Sequence, residues 1–96
     1  MAAYLVGQTA VKDPELWKEY VAGVARSLQP FDAEIVFRGR RASVLAGEQA
    51  RDLAVVIRFA DHEALLAWFR SPAYQGLIPL RTRAADMVLV SYEEGA

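Results

Sequence analysis

The apolar residues of this chain change their spacing from segment to segment, and each spacing predicts an element. Residues 4–11, YLVGQTAV, are rich in β-branched and small side chains and predict a first strand. The period then changes. Trp17, Tyr20, Val24 and Leu28 recur at steps of three or four, which puts them on one helical face. Asp13 is placed to cap that helix and Pro14 to open it with its preset φ. Glu15 suits the positive end of the dipole, and Pro30 stops the run. Residues 33–39, AEIVFRG, alternate Glu34, Val36 and Arg38 against Ile35 and Phe37, which predicts a strand with two unlike faces. Residues 53–59, LAVVIRF, are almost continuously apolar and predict a strand buried on both sides. Between these two lies a turn through Gly47, making a hairpin with a bulge expected near Gly39 and Gly47.

A second helix is predicted from Asp61, its cap, through Leu65, Leu66, Trp68 and Phe69. Ser71-Pro72 repeats the cap-then-proline device and starts a fresh turn. Pro79, lacking an N–H, is expected to break or kink that short helix. Residues 86–92, DMVLVSY, predict a last strand, and 93–96 a polar tail that frays. The order strand, helix, strand, strand, helix, strand is that of an α+β, ferredoxin-like βαββαβ domain with an antiparallel sheet and helices on one face. Ninety-six residues suit a single domain over 1–96, with no repeat or linker.

Composition adds a second expectation. The apolar share of 54% exceeds the roughly 45–50% of ordinary globular chains. Both alternating residue sets on the strands are largely apolar, so the sheet face without helices would be left bare in water. Two sheets packed face to face in a homodimer remove that exposure. The formal charge of −1 gives no overall field for nucleic acid or an anionic membrane. Three arginines cluster in RGRR, Arg38–Arg41, but no wider basic face accompanies them. The absence of cysteine excludes disulfides and thiolate chemistry and fits a cytoplasmic setting. The start MAAYLVGQTAV lacks a basic leader, and the central apolar run 53–57 is far too short to span a bilayer.

The chain resembles a known family through Asp13-Pro14 with Tyr20, the strings FRGR and VLAGE, the segment AWFRSPAYQGLIPLR and the terminal MVLVSYEEG. These are similar to the bacterial family called domain of unknown function 1330, in the dimeric α+β barrel superfamily. The resemblance implies a ferredoxin-like subunit pairing so that two sheets form a barrel. Relatives in that superfamily include cofactor-free monooxygenases, lactone isomerases, haem-handling enzymes and small-ligand regulators. Asp13, Tyr20, Arg38, Gly39, Ser71, Tyr74 and Arg81 fall on the family's characteristic positions. Arg40 and Asp32-Ala33 stand where relatives often carry glycine, and Ala46-Gly47 stands where they often carry Glu-Gly.

Candidate chemistry rests on few residues. Guanidinium groups carry a planar fork of donors suited to carboxylates or phosphates, which singles out Arg38 and Arg81. A buried arginine needs either an acidic partner, for which Asp13, Glu34 and Glu48 are available, or an anionic ligand. Tyr20 and Tyr74 could bond a substrate oxygen or simply complete the core. His62, the only histidine, sits in a first helical turn, and no triad or metal-ligand spacing surrounds it. The candidate ligand-binding set is therefore Arg38, Arg81, Tyr74, Tyr20 and Asp13. It would serve a small anionic or carbonyl-bearing metabolite. No catalytic residue, metal or cofactor is assigned. Any activity would be cofactor-free oxygenation or isomerisation, and the alternative is a non-catalytic effector-binding or assembly module.

Overall fold

The first helix begins where capping chemistry puts it. In the computed structural model, which describes residues 1–95, Asp13 is extended and its carboxylate accepts the backbone N–H groups of Glu15 and Leu16. Helix α1 follows over Pro14–Leu28, after strand β1, Ala3–Val11. The hairpin strands are β2, Ala33–Arg40, and β3, Leu53–Phe59. Asp61 caps α2, His62–Arg70, through the N–H of Ala64. Ser71 both ends α2 and caps α3, Pro72–Gln75. A further helix α4, Ile78–Ala84, leads into strand β4, Ala85–Glu93.

Pro79 acts differently from the sequence expectation. The break comes earlier, at Gly76 and Leu77, whose N–H groups bond back to Pro72 and Tyr74. Pro79 then lies in the first turn of α4, where its missing N–H leaves no bond unmade. The tail is also shorter than expected. Glu93 pairs with Ala3 and Glu94 N–H bonds Ala2 O at 2.9 Å, while Ala96 lies outside the described residues.

The strands form one antiparallel sheet in the order β2-β3-β1-β4, giving a ferredoxin-like α+β fold with helices on one face. Burial alternates along β1, so Ala3, Leu5 and Thr9 face the helices. Ala3 and Leu5 pack with Ile57, Phe59, Tyr20, Leu65, Trp68 and Tyr74 to make the core. Helix α1 comes so close to Leu77 that a Cβ on Gly23 would lie 2.6 Å from Leu77 Cδ2. Trp68, buried beneath these helices, gives its indole N–H to Ser27 at 2.9 Å, and Ser27 gives its own proton to Val24 O at 2.7 Å. The buried indole donor is thus satisfied.

The opposite face is open. By register Tyr4, Val6 and Gln8 stand beside Arg58, Val56 and Ala54 on one side, and beside Tyr92, Val90 and Val88 on the other. At one end of this face the β2–β3 connection, residues 41–52, is stitched down. Gln49 bonds Gln8, and Arg51 pairs with Asp86 at 3.2 Å. Gly47 turns that connection with φ of 81°, and Leu45 at its tip is 95% exposed.

The bulge lies at Val36, between Ile35 and Phe37, not near Gly39 or Gly47. Its extra residue resets the alternation. Phe37 pairs with Val56 and joins the open face, and Arg38 pairs with Val55 and joins the helix face. The Phe37 ring lies over Gly39, where a Cβ would meet Phe37 Cζ at 2.6 Å. Among the described residues no helix is long and apolar enough to cross a membrane.

Replacing Asp13 by Ala removes the acceptor from two helix-terminal N–H groups. A loss of about 1 kcal/mol in urea unfolding, with an unchanged denaturant slope, is expected. An unchanged midpoint would show that water replaces the cap without penalty.

Candidate functional site

Three helices carry one polar chain into the core. Tyr20 sits on the inward face of α1 and is 4% exposed. Tyr74, fully buried, is fixed by Ser71, whose hydroxyl accepts its N–H at 3.2 Å and donates to Trp68 O at 2.7 Å. Its ring is wedged against Trp68 and Phe69, with centroids at 4.4 and 5.3 Å. The two phenol oxygens meet at 2.8 Å. Arg81 on α4 donates Nη1–H to the Tyr74 oxygen, also at 2.8 Å. Burial pushes the Tyr20 phenol well above the ordinary tyrosine range. The adjacent Tyr74 adds to the shift and Arg81 opposes it.

Tyr20 also lines a cleft of about 680 Å3 between α1 and the sheet. Trp17 and Val24 of α1 and Leu5, Val55 and Leu89 of the sheet make most of its walls. Trp17 stacks on Tyr20 at 5.4 Å. Arg38 is exposed and lines the same cleft, brought there by the Val36 bulge. Lys18 also borders it, with its ammonium 3.5 Å from Glu15.

The predicted residues therefore separate. Arg81, Tyr74 and Tyr20 form one hydrogen-bonded chain, and Tyr20 shares the cleft with Arg38. Arg81 itself borders a smaller pocket of about 340 Å3 with Lys12, Thr82 and Asp86. Asp13 lies apart from the cleft lining, as the α1 cap. Among the described residues neither Arg38 nor Arg81 forms an ion pair. Arg38 is solvated, and Arg81 uses a phenol oxygen in place of a carboxylate. Two arginines of RGRR are occupied within the hairpin, Arg40 with Asp52 at 3.0 Å and Arg41 with Gln49 O at 2.7 Å. His62 meets Ser91 Oγ at 3.1 Å and is not part of the cleft.

Sequence reasoning missed Met87. Its Sδ lies 3.9 Å from the Tyr20 hydroxyl, and it borders both pockets. The signal was its alternation with Leu89 and Ser91, which puts it on the helix face of β4.

Fold and cleft together define a ferredoxin-like α+β domain with a mostly apolar cavity under its first helix. The chain belongs to the family described as Domain of unknown function (DUF1330), whose model matches residues 2–94. No curated protein matches it. Among solved structures it is similar to RPA0582, a protein of unknown function from Rhodopseudomonas palustris. The TM-score is 0.82 at 15% identity, over 99% of this chain and 83% of that one. A dimeric ferredoxin-like protein of unknown function from Jannaschia sp. CCS1 gives 0.71 at 13% identity, over 97% and 99%. SnoaB, a cofactor-independent oxygenase from Streptomyces nogalater, gives 0.70 at 10% identity, over 99% and 94%. At these identities the likeness is one of fold.

Tyr20 generates a prediction in alkali. Above about pH 10 the unfolded chain loses this phenol's proton while the folded protein keeps it. The folded state then binds more protons, so stability falls as pH rises. Replacing Tyr20 by Phe should flatten that fall by up to about 1.4 kcal/mol per pH unit, measured by urea unfolding from pH 8 to 11. Equal slopes in the two proteins would mean that Tyr20 ionises within the fold.

Proposed function

We propose that this protein is a small homodimeric ligand-binding domain, cytoplasmic, whose cleft under α1 takes an apolar metabolite bearing a carbonyl or an anionic group. The observation that carries this reading is the cleft itself. It offers about 680 Å3 of mostly apolar space, the size of a small-molecule site, with the buried Tyr20 and Thr9 hydroxyls and the exposed Arg38 guanidinium on its lining. The apolar walls supply affinity, and Tyr20 and Arg38 supply orientation. Arg81 and Tyr74 act from behind Tyr20, and Asp13 contributes by anchoring the start of the helix that roofs the cleft.

Two features support the dimer. Phe37 and Tyr92 are each 53% exposed on the face without helices, with Val88 and Val90 beside Tyr92. A monomer would leave this apolar surface in water. The Jannaschia protein of the same fold is described as dimeric. Catalysis is the second reading, supported by the cofactor-independent oxygenase SnoaB. Among the described residues the cleft lining carries no carboxylate or imidazole. Oxygenation or isomerisation here would therefore need a substrate acidic in its own right.

Titrating the protein with 1-naphthoate tests the cleft. Amide resonances of Tyr20, Val24, Arg38 and Val55 should shift together, and Arg38→Met should weaken binding several-fold at low salt. Shifts confined to the open sheet face, or none, would overturn the reading. Sedimentation tests the assembly. A dimer at micromolar concentration is expected, and Val90→Asp should give a folded monomer. A wild-type protein that sediments as a monomer would remove the dimer.

A further inference from the structure

The hydrogen atoms of the buried chain have only one arrangement that leaves no donor stranded. A guanidinium can only donate, so Arg81 makes the Tyr74 oxygen an acceptor. Tyr74 is fully buried, and its own single proton has one hydroxyl partner, Tyr20. If Tyr20 donated instead, the Tyr74 proton would be buried without an acceptor, an arrangement proteins avoid. Tyr74 therefore donates to Tyr20. The Tyr20 proton is left pointing away from the chain, where its only partner among the described residues is the weak acceptor Met87 Sδ at 3.9 Å. Both Tyr20 and Met87 line the cleft.

Charge has the same direction. The cationic end of the chain lies behind Tyr20, and the titratable and charged groups on the cleft itself are Tyr20, Lys18 and Arg38. Among the described residues no carboxylate lines the cleft to compete for the Tyr20 proton or to repel an anion. Hydrogen bonds from neutral donors strengthen as the acceptor gains negative charge, more so away from water.

We propose that the Arg81–Tyr74–Tyr20 chain is a directed donor into the cleft, and that the ligand class it selects is a weakly acidic enol or phenol, stabilised in its oxyanion form. This rests on the cleft being a ligand site. Tyr20 touches the ligand oxygen. Tyr74 and Arg81 are positioning residues that hold the Tyr20 proton in the cleft. An ammonium or other donor-only group cannot take the Tyr20 proton and meets the like charges of Lys18 and Arg38 on the lining, so it is disfavoured.

The test uses 7-hydroxycoumarin, whose phenol and phenolate forms absorb at different wavelengths, bound to saturation by the full chain. The ionisation of the bound probe is followed by absorbance, and its location by amide shifts at Tyr20, Val24 and Val55. Relative to wild type, Tyr20→Phe should raise the bound probe's pKa by about one unit, a tenfold loss of preference for the phenolate. Tyr74→Phe, which leaves the Tyr20 hydroxyl in place, should give a smaller rise in the same direction. Should Tyr20→Phe fail to fold, Tyr74→Phe and Arg81→Met carry the test, and a rise in either supports the chain. Cleft shifts in wild type with the same bound pKa in every folded variant would overturn the directed donor and leave the cleft reading standing. A probe that perturbs no cleft amide in wild type would overturn both.

Discussion

Two phenol oxygens 2.8 Å apart in a mostly apolar interior set the geometry of everything around them. A buried hydroxyl left without a partner costs about 1–3 kcal/mol, a large part of the roughly 5–15 kcal/mol that holds a small domain together. The pair can be satisfied only if α1, α3 and α4 meet at one point, because Tyr20, Tyr74 and Arg81 each come from a different one of these helices. The short α3 has no other evident reason to be so exact. Its Ser71 cap and the Trp68 and Phe69 rings around Tyr74 fix a single oxygen atom. The roof of the cleft and the chain of donors behind it are thus one construction. Loosening either disturbs the other.

What could be read from the sequence follows from how local each signal is. Asp13-Pro14, Asp61 and Ser71-Pro72 were legible as helix starts because a cap acts within three residues of itself. Pro79 was misread because a proline that ends one helix and a proline that opens the next look alike without the chain geometry between them. Tyr20, Tyr74 and Arg81 could be picked out as chemically able residues. Their partnership could not, since Tyr20 and Tyr74 are 54 positions apart and the arginine's acceptor is a phenol, not the carboxylate that charge reasoning suggests. Arg38 was misplaced against its neighbours because alternation assumes an unbroken ladder. A bulge is a property of two strands, and only pairing with β3 reveals it.

The two faces of the sheet are organised by different means. The helix face is held by interlocked rings and buried donors, from Trp68 and Ser27 to the tyrosine pair. The open face is pinned at one end by Gln49 and Arg51 of the long connection reaching Gln8 and Asp86. Its apolar middle is therefore shaped by the flat register of four strands and not by side chains locking one another in place.

The extra residue at Val36 ties these faces together. Because β2 is an edge strand, a change in its length disturbs only one neighbour. Were Val36 to pair regularly opposite Val56 in place of bulging out, Phe37 would turn to the helix side and Arg38 to the open side with no side chain altered. The cleft would exchange its guanidinium for an aromatic wall, and the open face would gain a charge where it now has a ring. The bulge in β2 is thus a selector for two surfaces at once, and for this fold a one-residue slip in strand pairing redirects recognition more completely than any point substitution.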